Sequence, residues 1–297
     1  MLRENEAFSA VFLNGQLADR IKSLLEHPDL QSISLPLLNR IARLQGHGVR
    51  RIFLDEGIWI HETPHGYFAY HQPYLRLDLL RLDECARRNY FWRYTPNPGD
   101  VIMDVGAGVG EETLTFSRAV GGGGRVICVE AHPRTYRCLE KLVHYNRLGN
   151  VVIIHAAATE PGSSAVRIED EREYLRNRVV SKRGTLVPTT TIDAIFESLR
   201  LRRVQFLKMN IEGSEGLAIR GMTTTLKHTE IFCVSCHDFL AARTDGEDLR
   251  TKAVVKEFFK QNGLELMERR EVPASPFLCD QVWAYNPKLT QKIAAGA

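Results

Sequence analysis

The segment from Val101 to Glu112, V-I-M-D-V-G-A-G-V-G-E-E, constrains the fold more than any other part of the chain. An apolar run that ends in an acid and passes into Gly106, Gly108 and Gly110 predicts a buried parallel strand turning sharply into a helix. Each glycine lets the backbone bend or approach a neighbour where a Cβ would clash. Such a turn aims helix N-terminal amides at a ligand, which makes it a candidate nucleoside site. A dinucleotide fingerprint, G-x-G-x-x-G, would need a third glycine at position 111, and the chain has Glu111. An acid there repels a pyrophosphate. Asp104 and Glu111 suit S-adenosylmethionine better, because that cofactor carries an ammonium and a sulfonium and has no phosphate. A second apolar run, Arg125 to Glu130, ends in an acid placed for ribose hydroxyls. A plain tight turn and a solvated strand-end carboxylate are the bland alternatives.

Beyond Val101 strands and helices alternate, which predicts an α/β fold with a mostly parallel sheet covered on both faces. Strands are expected at 101–105, 125–130, 151–155, 204–209, 230–236, 264–269 and 281–285, and helices at 110–120, 133–147, 192–199, 214–227 and 248–262. Upstream, the pattern gives an amphipathic helix over 7–26, a short helix from Pro36 to Leu44 near a cap at Ser34 or Leu35, and three short strands around a Thr63–Gly66 turn. A helix over 76–94 ends in Tyr90, Phe91, Trp92 and Tyr94, read as core in preference to a substrate wall. Residues 1–98 thus form an N-terminal α+β extension with a substrate or dimer role, and 99–297 the cofactor domain. The charged stretch 170–183 reads as a solvated excursion or a lid.

A net charge of +3 over 297 residues gives no basis for a nucleic-acid partner, and Arg200, Arg202 and Arg203 make only a short basic patch. No apolar run of membrane-spanning length and no leader-like start are present, so a cytoplasmic protein is expected. Cys233 and Cys236 mimic a C-x-x-C pair, but residues three apart on a strand face opposite ways, so they read as buried free thiols. No histidine shows metal-ligand spacing, and no metal is expected.

Val204 to Glu215, V-Q-F-L-K-M-N-I-E-G-S-E, is a further buried strand with a polar end. Strand alternation puts Lys208, Asn210 and Glu212 on one face, converging on the glycine loop at the carboxyl edge of the sheet. His237 follows the next strand, in S-C-H-D-F. An ordinary pKa of about 6.5 suits it as a general base, with Glu212 as its orienter or the alternative base and Asn210 beside them; a strand-end histidine bonded to backbone is the competing reading.

Together D-V-G-A-G-V-G-E-E-T, V-P-T-T-T-I-D and L-K-M-N-I-E-G-S-E resemble the FkbM family of S-adenosylmethionine-dependent methyltransferases over about Asp100 to Asp238. The resemblance implies a class I methyltransferase Rossmann-like fold, seven strands with one antiparallel, and methylation of a hydroxyl on a small molecule, sugar or glycolipid. It implies that Asp104, Gly106, Ala107, Gly108, Gly110 and Glu111 hold the methionine part of the cofactor. Glu130 and Ala131 would take the ribose, Ala156 and Ala157 would flank the adenine, and Asn210 would touch cofactor or substrate. The chain departs from the family at Asn210, where an acid is usual, and at Glu130-Ala131-His132-Pro133, where E-P-x-P is common. Two rivals stand beside this reading: a non-catalytic cofactor-binding module, which Asn210 keeps open, and a nicotinamide-dependent oxidoreductase, disfavoured by Glu111. A homodimer through the extension is a further possibility that the sequence leaves open.

Overall fold

The computed structural model describes residues 31–46, 48–169, 179–180, 184–239, 241, 249–269 and 275–290. The helix expected over 7–26 and most of the 170–183 stretch lie outside them. The chain opens with α1 (Gln31–Gln45), the meander β1 (Arg51–Asp55), β2 (Ile58–Thr63) and β3 (Gly66–Tyr70), and α2 (Leu79–Tyr90). Alternation follows as β4 (Val101–Val105), α3 (Thr113–Val120), β5 (Arg125–Glu130), α4 (Pro133–Tyr145) and β6 (Val151–His155). Four short strands come next: β7 (Ala157–Ala158), β8 (Ala165–Ile168), β9 (Val179–Val180) and β10 (Thr185–Thr190). The chain continues through α5 (Ile192–Ser198), β11 (Val204–Met209), α6 (Glu215–Ala218), β12 (Thr229–Ser235), α7 (Lys252–Gln261), β13 (Glu265–Met267), α8 (Pro276–Cys279) and β14 (Gln281–Tyr285).

Seven strands form the central sheet in the order β13-β14-β12-β11-β4-β5-β6, and β14 alone runs antiparallel to its neighbours. The order reverses between β4 and β11, which leaves a crevice at their carboxyl ends. Strand alternation sorts the core. Ile102, Val126 and Phe206 face Tyr90, Phe116 and Trp283 on one side, while Met103, Ile127 and Leu207 face Ile195, Val255 and Phe259 on the other. Burial on both faces explains why these strands read as continuous apolar runs. Cys233 and Cys236 fall on opposite faces as free thiols.

The aromatic end of the 76–94 segment is core. The helix stops at Tyr90, and Tyr94 stacks on Phe206 with ring centroids 4.7 Å apart. The three-stranded meander packs through Trp59, Phe68 and Tyr70 onto Val109 and Leu114 of the loop–α3 region and Cys138 and Leu142 of α4. It thereby braces the glycine loop from outside.

Two expectations need correction, and one feature is new. The first helix spans Gln31–Gln45 with Pro36 inside it, so Ser34 and Leu35 are helical residues and not caps. The helix expected over 214–227 is one α-turn, Glu215–Ala218, followed by 3-10 turns. Asp193 captures the amides of Thr224 and Thr225 (3.1 and 2.7 Å), and Gly221 lies so close to Thr159 that a Cβ would sit 2.3 Å from its carbonyl oxygen. These tertiary bonds override helix propensity. The small sheet β7-β10-β8-β9 went unanticipated, because strands this short show no readable period.

Candidate active site at the carboxyl edge of the sheet

Gly106, Gly108 and Gly110 take φ of 81°, 60° and 92°, the left-handed region open to glycine. They serve packing as much as ligand access. A Cβ on Gly106 would lie 2.0 Å from the Asn210 carbonyl oxygen, and one on Gly110 would lie 2.8 Å from Leu139 Cδ1. Four of the loop amides are already committed. Gly106 and Ala107 donate to Val129 O (2.8 and 3.1 Å), Gly110 donates to Ala107 O (3.1 Å), and Gly108 donates to Glu130 Oε2 (2.9 Å). A pyrophosphate would need such amides free and would meet the Glu130 carboxylate where they point.

A cleft opens beside this loop. Of the residues singled out in the sequence it brings together Gly106, Gly108, Glu130, Ala131, Ala156, Ala157, Asn210 and Glu212. The other five do not line it. Asp104 is fully buried behind the loop, where its Oδ1 lies 2.7 Å from Lys208 Nζ. Lys208, equally buried, also donates to Gly106 O (2.7 Å), so the pair fixes the loop from beneath and leaves Asp104 no path to an ammonium. Burial opposes the Lys208 charge, but Asp104 and Glu112 outweigh it and raise its pKa. Ala107 is packed in the core with Phe116 and Cys128. Gly110 faces α4. Glu111 points to the meander, where its Oε1 accepts the Tyr70 hydroxyl (3.0 Å). His237 stands behind Glu212.

Glu130 is held by main chain on both oxygens, from Gly108 N and from His132 N (2.8 Å). Burial pushes its pKa up, against those two bonds. Its spare lone pairs remain for hydroxyl donors. Asn210 Oδ1 is buried and finds no hydrogen-bond partner among the described residues. An unpaired acceptor of this kind costs about 1–3 kcal/mol unless a ligand donor meets it. The apolar Ala156, Ala157 and Ile168 complete a wall fit for a flat base.

Past Met209 the strand ends, so alternation does not carry to Glu212. Glu212 adopts φ 51°, a left-handed conformation uncommon for a side-chain-bearing residue. Its Oε2 lies 3.3 Å from His237 Nε2, and Glu215 Oε1 lies 3.3 Å from His237 Nδ1. Glu215 is itself fully buried. Its Oε1 accepts the amides of Ile211 (3.3 Å) and Gly213 (3.2 Å), and its Oε2 accepts the Thr251 hydroxyl (3.0 Å). Burial opposes charge on His237, yet the two carboxylates overcome it and raise its pKa to about 10. The two carboxylates thus favour the protonated ring at His237. A ring held in its protonated form gives a proton more readily than it takes one, which turns attention to the neighbouring Glu212.

Sequence reasoning missed Glu215 as a site residue. Its side chain folds back from the start of α6 to clamp the turn. The E-G-S-E spacing was the available signal. Thr135, buried in the first turn of α4 and lining the cleft, carried no signal.

The strand order, the crevice at the reversal and the glycine loop are those of the class I methyltransferase fold. The model of the FkbM methyltransferase domain matches residues 104–257, and the chain belongs to that family, whose cofactor is S-adenosylmethionine. The donor set of the cleft suits that group: an unpaired amide oxygen at Asn210, a carboxylate with spare lone pairs at Glu130 and an apolar alanine wall. No curated protein matches the chain in sequence. Among solved structures, it is similar to fibrillarin from Aeropyrum pernix with natively bound S-adenosyl-L-methionine (16% identity, 80% of this chain, 98% of that one, TM-score 0.43). It is also similar to a methyltransferase FkbM from Methylobacillus flagellatus (14% identity, 70% of this chain, 58% of that one, TM-score 0.42). A SAM-dependent methyltransferase from Aquifex aeolicus gives 12% identity over 71% of this chain and 98% of that one, at TM-score 0.41. Among the described residues no helix is long and apolar enough to cross a membrane, and no group of three His, Cys, Asp or Glu side chains is placed to hold a metal.

Proposed function

We propose that the chain transfers a methyl group from S-adenosylmethionine to a hydroxyl oxygen of a small molecule, sugar or glycolipid, with Glu212 as the general base. The observation that carries this reading is Glu212 itself, a carboxylate in a left-handed turn that lines the cleft and lies 3.3 Å from the buried His237 ring behind it. Bound S-adenosylmethionine supplies a methyl group made electrophilic by its sulfonium. Asn210 Oδ1 and Glu130 would hold the cofactor, and the fixed glycine loop aligns it with the acceptor oxygen. The acceptor hydroxyl gives its proton to Glu212 Oε1, the oxygen that does not face His237. His237 and Glu215 are positioning residues: they set the carboxylate's direction and touch no reacting atom. The committed loop amides argue against a dinucleotide.

The test is transfer of label from methyl-labelled S-adenosylmethionine to a panel of hydroxylated sugars and small alcohols. The product expected is an ether, whose label survives mild alkali. Label released by alkali would mean a carboxylate acceptor and an ester product. No transfer to any hydroxyl, together with normal binding of S-adenosylhomocysteine, would favour the non-catalytic module.

A further inference from the structure

The charged wall does not end at Glu215. Its carboxylate is completely buried and engaged on both oxygens. Oε1 faces His237 Nδ1 (3.3 Å) and accepts the amides of Ile211 and Gly213, while Oε2 accepts the Thr251 hydroxyl (3.0 Å). Contacts to one oxygen leave a carboxylate able to turn about its last side-chain bond, a torsion with a broad, roughly twofold profile. The Thr251 bond supplies a second point, and two points fix the plane. That plane sets which lone pair meets His237 Nδ1, and with it the tilt of the ring whose Nε2 lies 3.3 Å from Glu212 Oε2.

Thr251 is the N-cap of α7 and only 5% exposed. A threonine at that position ordinarily spends its side-chain oxygen on an amide of the first turn. Thr251 makes no such bond. Asp238 caps the helix instead: its Oδ1 accepts the amides of Thr251 and Lys252 (both 3.0 Å). The residue next to His237 thus serves as the cap, and the Thr251 hydroxyl is left to donate to Glu215. Asp280 pins the same stretch from a third side. Its Oδ2 accepts Phe239 N (2.7 Å), its carbonyl accepts Cys236 N (3.2 Å), and its Oδ1 lies 3.1 Å from Lys252 Nζ. The residues flanking His237 and the first turn of α7 therefore form one unit. Of the titratable groups around the ring, Glu212 and Glu215 face its nitrogens. Asp238 is turned to the α7 amides and Asp280 to Lys252, and burial pushes the Cys236 thiol up, which keeps it neutral.

We propose that Thr251 is a positioning residue for the methyl-transfer base, holding Glu215 so that His237 keeps Glu212 in line with the acceptor. This rests on the methyltransferase reading above. The hydroxyl touches no reacting atom. A donor to a carboxylate favours its charged form, so removing the hydroxyl weakens the partner that supports the protonated ring, and the ring then releases its proton at lower pH.

The experiment compares the full chain with Thr251→Val, which keeps the shape without the hydroxyl, and Thr251→Ser, which keeps the hydroxyl. S-adenosylhomocysteine binding is expected to be equal in all three proteins. In Thr251→Val, kcat for label transfer should fall about tenfold, the effect of one lost hydrogen bond to a charged group, with KM for S-adenosylmethionine unchanged. The ¹⁵N titration of the His237 ring, centred near pH 10 in wild type, should move down by about one unit. Thr251→Ser should restore both. An unmoved titration or an unchanged kcat in Thr251→Val would overturn the proposal. Equal losses in the two variants would do the same, marking a purely structural position. Should Thr251→Val fail to fold, wild type decides: the Thr251 hydroxyl proton is expected as a separate, slowly exchanging resonance, and exchange too fast to observe would overturn the proposal. The ring titration needs neither cofactor nor acceptor. A wild type that binds no S-adenosylhomocysteine or transfers no label therefore fails the methyltransferase reading, and an unmoved ring fails this one.

Discussion

The two walls of the cleft are built from different materials. On the β4–β5–β6 side the one polar side chain that matters, Glu130, is held on both oxygens by main-chain amides, and small alanines do the rest. On the β11–β12 side the work falls to charged side chains: Glu212 in a strained turn, His237 behind it and Glu215 behind that. Backbone hydrogen bonds give a wall whose shape hardly depends on pH or on single side chains, which suits binding a constant cofactor. Stacked charges give a wall whose protonation states are coupled, which suits moving a proton.

The comparison breaks most sharply at the base. Glu212→Gln keeps the shape of the side chain and removes its basicity. Methyl transfer is expected to fall about 10²–10⁴-fold, with S-adenosylhomocysteine binding unchanged in a calorimetric titration. A matching loss of binding would mean that Glu212 belongs to the cofactor wall. Lys208→Met comes next. It strands Asp104 uncompensated at the centre of the sheet and should cost about 3–5 kcal/mol of stability in urea denaturation, and the glycine loop should lose its support from below. Stability unchanged by this variant would show that the ion pair is not what holds the loop.

The pH response should separate the walls further. Folding favours charged His237, so its ion pairs stabilise fully below about pH 6.5, the ordinary histidine value. That stabilisation is lost as pH rises toward about 10. Chemical denaturation of wild type against His237→Gln between pH 6 and 10 should show a downward slope in wild type that the variant lacks. The smallest effect is expected at Tyr70→Phe, which removes the hydroxyl bonded to Glu111 and should cost about 1 kcal/mol. Cofactor affinity should stay within about twofold, since a contact that only braces the loop contributes little to binding.

What the sequence disclosed follows the same division. That Gly106, Glu130, Ala156 and Ala157 meet at one cleft was legible because backbone geometry and strand ends leave local signatures, and the seven central strands announced themselves as buried apolar runs. The charged wall was not legible. Asp104 looked like a ligand group because its partner, Lys208, lies on a strand distant in sequence and adjacent only in the sheet. Glu111 looked like a cofactor contact because nothing in its neighbourhood predicts that Tyr70 reaches it. His237 was assigned an ordinary pKa, since its charge depends on a turn at Ile211–Gly213 that folds Glu215 back against it. Local conformation is written in short windows of sequence; protonation is decided by tertiary neighbours.

The most direct test of the charged wall is the protonation state of His237, read from the ¹⁵N chemical shifts of its ring in the folded protein at pH 8. The account predicts two protonated nitrogens with imidazolium shifts that persist until the pH approaches 10. A neutral ring at pH 8, with one unprotonated nitrogen, would contradict it and return the role of base to the histidine.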